Sequence, residues 1–312
     1  MTCISSCLVW LLVGCIVALG HADDERVDHV KEFEYQPHSG IGDYLSSHIM
    51  ENRDKLDEIA EDLRNGKVVV IEDAFPEEMA DRMYREIYHA RYKLHEDYLD
   101  DGFHYVHHNV YDRADFTTFM NETLAMLDSE ASKAFMSELT GRDCDGETIA
   151  TASHYQPGDH SLPHTDHLGQ RTVAFVWHLS MRWRPEWGGA LYWCPEHNEH
   201  AYVHASYNTL TLFDVNEESA HFVTTVSRHA KRKRLAFNGW YHSAWEPNVD
   251  DPLEDLIATE LQRSRLTYDQ YEDIKEIIEE EWLDNDRHQA VEPLYQNLLD
   301  EWFFDPIYKR EH

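Results

Sequence analysis

The stretch Tyr155-Gln156-Pro157-Gly158-Asp159-His160-Ser161-Leu162-Pro163-His164-Thr165-Asp166 holds two chemically loaded residues two positions apart, His164 and Asp166. In an extended segment, residues i and i+2 project to the same side, so this pair presents an imidazole and a carboxylate to a single ion. A third ligand must then come from a distant part of the chain. His221, in Ser219-Ala220-His221-Phe222-Val223, heads a short apolar segment that reads as a strand. Two histidines and one carboxylate on one face of an octahedral ion leave three positions open, the arrangement typical of a mononuclear non-haem Fe(II) site.

Thirteen residues after His221 comes Arg234, which opens the run Arg234-Leu235-Ala236-Phe237-Asn238-Gly239-Trp240. Read as a strand, this run puts Arg234, Ala236, Asn238 and Trp240 on one side and Leu235 and Phe237 on the other. A guanidinium directed into a protein interior is costly unless it meets an anion, and a dicarboxylate would supply one through a bidentate pair.

Around these residues the chain changes character twice. Asp43 to Arg64 has helical periodicity and stops at Asn65-Gly66, Val68 to Ile71 is a β-branched run, and Pro76 to Tyr92 and Asp115 to Leu139 read as two further helices. From Thr148 to Tyr241 short apolar or alternating segments follow one another, separated by turn residues: Thr148 to Tyr155, Thr172 to Leu179, Ala190 to Trp193, Thr209 to Phe213, Phe222 to Val226 and Arg234 to Tyr241. Many short strands after a set of helices predict a mainly β fold, an antiparallel sandwich or barrel with helices on one face. His107-His108-Asn109 with Tyr111-Asp112 reads as a solvated loop or strand edge, with lining of a substrate mouth as the alternative.

The set of motifs, in this order and spacing, resembles the Fe(II)- and 2-oxoglutarate-dependent dioxygenases, and within them the ribosomal-protein and oxygen-sensing prolyl hydroxylases. The resemblance runs from Val68 to Trp245. It includes Tyr155-Gln156-Pro157-Gly158-Asp159, the segment Arg171 to Leu179, the Trp187-Gly188-Gly189-Ala190-Leu191 turn, Asn208 to Asp214 and the closing RLAFNGWYH. It implies a double-stranded β-helix, or jelly-roll, core with N-terminal helices packed on one sheet. It further implies that His164, Asp166 and His221 hold Fe(II) and that Arg234 binds the distal carboxylate of 2-oxoglutarate. Tyr155, Asn238 and Trp240 are expected to line the cosubstrate site. O2 would be the second cosubstrate, with ascorbate as a possible accessory reductant and succinate and CO2 as by-products. The substrate implied is a proline-containing protein or peptide. The same chemistry on a small molecule, such as a free amino acid or secondary metabolite, and a non-catalytic β-barrel interaction module are the alternatives. One departure stands out: secreted collagen-type prolyl hydroxylases use Lys where this chain has Arg234. Lys231 would become the anchor if the register slipped, but the match from Leu235 to Trp240 favours Arg234.

The remaining features concern partners and compartment. Among 312 residues, 60 Asp and Glu face 27 Lys and Arg, a net charge of -33, which repels phosphate backbones and argues against nucleic acid. It would instead steer a basic polypeptide toward the chain. Ile4 to Leu19 is apolar and runs into Gly20-His21-Ala22, so residues 1–22 are expected to be a secretory signal peptide. No membrane span would then remain after cleavage, and the location would be the endoplasmic reticulum lumen or outside the cell. An uncleaved membrane anchor is the alternative. The further divisions expected are an N-terminal helical segment at 23–66, the dioxygenase domain at 67–245 and an acidic helical tail at 246–312. Oligomeric state is not legible, nor is any pairing of Cys144 with Cys194.

Overall fold

A computed structural model of the chain describes residues 33–98, 104–194 and 202–244. The expected signal peptide at 1–22 and the expected acidic tail at 246–312 lie outside the described residues. No helix among the described residues is long and apolar enough to cross a membrane.

Eleven strands form the framework: β1 (Val69–Ile71), β2 (Lys93–Tyr98), β3 (His104–Val110), β4 (Ile149–Tyr155), β5 (His160–His164), β6 (Arg171–Leu179), β7 (Leu191–Trp193), β8 (Tyr202–Val203), β9 (Tyr207–Asp214), β10 (His221–Val223) and β11 (Arg234–His242). They pair in the order β1-β9-β6-β11-β4-β3-β5-β10-β7-β8, with β2 added on β3, and every pair is antiparallel. The sheet folds back on itself. Leu191 and Trp193 of β7 and Val203 of β8 pack into one buried cluster with Ala174 of β6 and Phe213 of β9, strands far from them in the pairing order. The result is the squashed, nearly closed barrel of a double-stranded β-helix.

The six strand segments read between Thr148 and Tyr241 all form strands, with ends that coincide or shift by at most three residues. β6 and β9 are buried along most of their length because both faces are covered, one by the barrel interior and the other by helices. Helix Arg53–Arg64 buries Ile59 and Leu63, and helix Glu77–Tyr88 buries Met79, Ala80, Met83 and Ile87 at spacings of three and four, the apolar stripe that docks such a helix. Residues 35–64 belong to the same compact unit as the barrel.

Several elements differ from the sequence reading, each for a local reason. The expected helix from Asp43 to Arg64 breaks at Asn52, whose side-chain oxygen accepts from Lys55 N and starts a new helix. The expected helix from Asp115 to Leu139 is two helices, Thr118–Leu127 and Glu130–Thr140, because Ser129 caps the second by accepting from Ser132 N. The helix expected to reach Tyr92 ends at Tyr88, where Lys233 donates to the Tyr88 carbonyl (2.6 Å), and the chain turns into β2. His107, His108 and Asn109 are not in a loop: they lie on β3, a central strand between β4 and β5. Cys144 and Cys194 are both buried and free.

Gly239 marks the tightest point of the barrel. On β11 it lies between Ala150 of β4 and Phe175 of β6, and a Cβ there would overlap the Ile149 carbonyl oxygen and sit 2.8 Å from Ala150 Cα. Both obstacles are backbone atoms of a central strand and cannot give way cheaply. Gly239→Ala is therefore expected to destabilise the fold by about 3 kcal/mol or more, read as a fall in the urea unfolding midpoint.

Candidate active site

His164 ends β5 and His221 begins β10, and the two are direct cross-strand partners. Antiparallel pairing thus stands two imidazoles side by side, with ring centroids 4.4 Å apart. Each ring is turned by its own backbone: Nδ1–H of His164 donates to the Leu162 carbonyl (2.7 Å), and Nδ1–H of His221 donates to the Ser219 carbonyl (2.8 Å). A carbonyl can only accept, so both rings are held in the tautomer that presents the Nε2 lone pair inward.

Asp166 joins them by a different route from the one the extended-segment argument supposes. It lies beyond the end of β5 with φ +59°, a left-handed conformation that Asp tolerates better than most residues. Ser219 Oγ donates to the carbonyl of the intervening Thr165 (2.6 Å), tying this turn to the start of β10. The carboxylate then reaches both rings, with Oδ1 3.4 Å from His164 Nε2 and Oδ2 3.5 Å from His221 Nε2. Burial alone would raise the Asp166 pKa, but when the two rings also carry an Nε2 proton their hydrogen bonds and charge outweigh it and hold the carboxyl well below the usual range. One ligand atom from each of the three residues lies within 4.8 Å of the others. Behind His221 stand Phe213, at 4.8 Å between centroids, and Trp193, stacked at 6.0 Å, an apolar backing that keeps water from the far side.

The three residues open into a cavity of about 530 Å³ that also admits Tyr155, Arg234, Asn238 and Trp240. Arg234 is 3% exposed and sits opposite Tyr155 in the β11–β4 register, its guanidinium 4.4 Å from the centre of the Tyr155 ring. Its Nε donates to the Gly189 carbonyl (3.0 Å), and Gly189 has φ +68° with a Cβ position only 3.3 Å from Arg234 Cγ. Among the described residues no carboxylate pairs with this buried cation. Tyr155 is sandwiched between the guanidinium and the His107 ring, which stacks on it at 5.0 Å, and burial pushes its phenol up to about 12. Asn238 accepts from Ser153 Oγ (2.6 Å), and Trp240 Nε1 donates to Asp166 Oδ2 (2.9 Å).

Of three further cavity residues, the sequence reading passed over Arg171 and gave His107 and Asn109 only as an alternative lining of a substrate mouth. His107 and Asn109, on β3, each carry a buried polar atom without a protein partner, Nδ1 and Oδ1 respectively, and burial brings the His107 pKa down to about 3. The alternation His107, Asn109, Tyr111 was a usable signal. Arg171 opens β6, and its guanidinium lies 3.6 Å from Asp166 Oδ1.

The donor set fits Fe(II) and a dicarboxylate. Two imidazoles with inward lone pairs and one ionised carboxylate provide three ligands on one face. The guanidinium, which no carboxylate of the described residues pairs, and the orphaned His107 Nδ1 provide for an anionic molecule beside them, while the orphaned Asn109 Oδ1 accepts from a donor.

Comparison with known proteins agrees with this construction. Residues 150–242 match the family model of the 2OG-Fe(II) oxygenase superfamily. Fold, ligand set and family match point to one class: residues 150–242 are similar to the 2OG-Fe(II) oxygenase superfamily. The chain's similar relatives include prolyl 3-hydroxylase OGFOD1 of Mus musculus, 27% identical over 161 residues covering 48% of this chain and 29% of the relative. Prolyl 3-hydroxylase sudestada1 of Drosophila melanogaster is 31% identical over 132 residues, 38% of this chain and 23% of the relative. The chain thus spans about a third or less of the length of these relatives. Among solved structures, a prolyl 4-hydroxylase of Phytophthora capsici is 18% identical and covers 89% of this chain and 99% of its own, with a TM-score of 0.46. A prolyl-4-hydroxylase of Pseudomonas putida also has a TM-score of 0.46, at 17% identity, covering 60% of this chain and 98% of its own.

His164→Ala and His221→Ala are each expected to raise the Kd for Mn(II), used as an air-stable probe, by at least about 100-fold in calorimetry. Loss of an outer contact to a ligand already costs roughly 10- to 100-fold, so loss of a ligand must cost more.

Proposed function

We propose that this chain is an Fe(II)- and 2-oxoglutarate-dependent dioxygenase that hydroxylates a peptidyl residue, proline being the favoured one. The observation that carries the reading is the convergence of His164, Asp166 and His221 on one wall of a cavity whose inner end holds the unpaired Arg234. Iron held by that triad would supply, with 2-oxoglutarate and O2, the chemistry that puts one oxygen atom on a substrate C–H and releases succinate and CO2.

The chain's own residues supply position and exclusion of water. Arg234 binds the distal carboxylate of the cosubstrate, and its depth in the barrel sets how far the molecule enters. Tyr155, braced by His107, flanks the same carboxylate and keeps its proton, since burial holds the phenol up near 12. Asn238 and Ser153 form a polar pair on the facing strands, and Trp240 closes the side nearest Asp166. The apolar backing of Phe213 and Trp193 keeps the charged groups in a low dielectric, where fixed ligands and donors act most strongly.

The mouth of the cavity supports a chain-like substrate. Tyr111 and Ile149, 59% and 48% exposed, edge the opening and offer apolar contact on either side. The relatives that the chain resembles are prolyl hydroxylases, which supports proline as the target. The apolar run Ile4 to Leu19 supports a place in the secretory pathway as part of this proposal.

Incubation with Fe(II), 2-oxoglutarate, O2 and a library of proline-containing peptides is expected to give succinate and a peptide heavier by one oxygen atom in equal amounts. Arg234→Gln is expected to raise KM for 2-oxoglutarate by roughly 30- to 1,000-fold, the factor for stranding one partner of a buried charge pair at about 2–4 kcal/mol. Peptide-independent activity on a free amino acid would exclude the peptidyl reading.

A further inference from the structure

Asp166 is the least secured of the three candidate ligands by its own backbone. It has left β5 and adopts a left-handed conformation, and the chain after it closes a tight turn in which Leu168 N donates to the Asp166 carbonyl (2.7 Å). Its carboxylate is nonetheless ordered by groups from two other strands. Trp240, near the end of β11, donates its indole N–H to Oδ2 at 2.9 Å. Arg171, at the start of β6, places its guanidinium 3.6 Å from Oδ1 and directly over the Trp240 ring, 3.6 Å from the ring centroid. The register fixes both: Trp240 pairs with Ile149 of β4 and Ala174 of β6, and Arg171 pairs with His242.

The distances assign different parts to the two residues. At 2.9 Å the indole makes a true hydrogen bond and takes up one acceptor site of Oδ2. At 3.6 Å the guanidinium is outside hydrogen-bond range, so it acts by clamping the indole face and by its charge. A cation beside a metal-binding carboxylate weakens the attraction for a second cation, whereas holding the carboxylate in place removes an ordering cost. Since the hydrogen bond is short and the ion pair long, ordering outweighs repulsion.

Resting on the reading of His164, Asp166 and His221 as a metal site, we infer that Trp240 and Arg171 are positioning residues that pre-set Asp166 as the third ligand. Trp240 is then more than a wall of the cavity. The chemistry-bearing feature is its N–H, which phenylalanine lacks while keeping most of the ring.

The test uses Mn(II) for affinity and Co(II) for geometry, on the full chain without cosubstrate. Trp240→Phe is expected to weaken Mn(II) binding by roughly 10- to 100-fold and to alter the visible absorption of the Co(II) form, with the melting temperature of the metal-free protein unchanged. Arg171→Gln, which removes the clamp but leaves the donor, is expected to give a smaller loss in the same direction. Mn(II) affinity within twofold of wild type in Trp240→Phe, with an identical Co(II) spectrum, would overturn the inference. If Trp240→Phe does not fold, Arg171→Gln decides it by the same two readouts. Failure of the unaltered chain to bind Mn(II) would instead sink the metal-site reading on which the inference rests.

Discussion

The pairing of β5 with β10 is the constraint on which the rest of the site depends. It sets His164 beside His221 across two strands, and the Leu162 and Ser219 carbonyls turn both rings so that each Nε2 faces the cavity. Nothing in either histidine alone makes a ligand of it. The geometry comes from register, and a slip of one residue would send both imidazoles to the other face. The Ser219 hydroxyl, which holds the Thr165 carbonyl, extends the same strand pairing to the turn that delivers Asp166.

Charge sets the second half of the arrangement. A chain with net charge -33 has buried the Arg234 guanidinium in the wall of its cavity, and among the described residues no carboxylate pairs with it. Burial lowers the Arg234 pKa, yet a guanidinium stays charged at any physiological pH, so the fold carries an electrostatic cost that an anionic ligand relieves. The opposite sign appears on the wall of the same cavity, where the Asp166 carboxylate lies between His164 and His221. Cation site and anion site thus line one cavity, and a 2-oxo dicarboxylate carries oxygen atoms at both ends that suit a metal and a guanidinium.

Much of this was legible in the sequence because it is carried by short-range pattern. The alternation of RLAFNGWYH puts Arg234, Asn238 and Trp240 on one side, and β11 does so in the structure. His164, Asp166 and His221 were readable as a set because their spacing matches strand ends and turns. What escaped was written in non-local terms. β2 and β3 are rich in His, Tyr, Asn, Glu and Asp, with few apolar residues to alternate, so a central strand looked like a solvated loop. Its burial comes from flanking β4 and β5, which no local window shows. The two helix breaks, at Asn52 and Ser129, depend on side-chain caps inside otherwise periodic runs. Asp166 was placed correctly by an argument about extended backbone, although its left-handed turn is what delivers it. Arg171 joins the site through sheet topology alone, whereas the alternation of His107, Asn109 and Tyr111 was a local signal, read only as the alternative to a solvated loop or strand edge.

The most direct test of the central claim is a calorimetric titration of 2-oxoglutarate into the chain with and without saturating Mn(II). The account predicts one cosubstrate per chain, bound at least tenfold more tightly when the metal is present, because the triad and Arg234 address the two ends of the same molecule. Equal affinity in the presence and absence of metal would contradict it, since cation and anion sites would then not share one ligand.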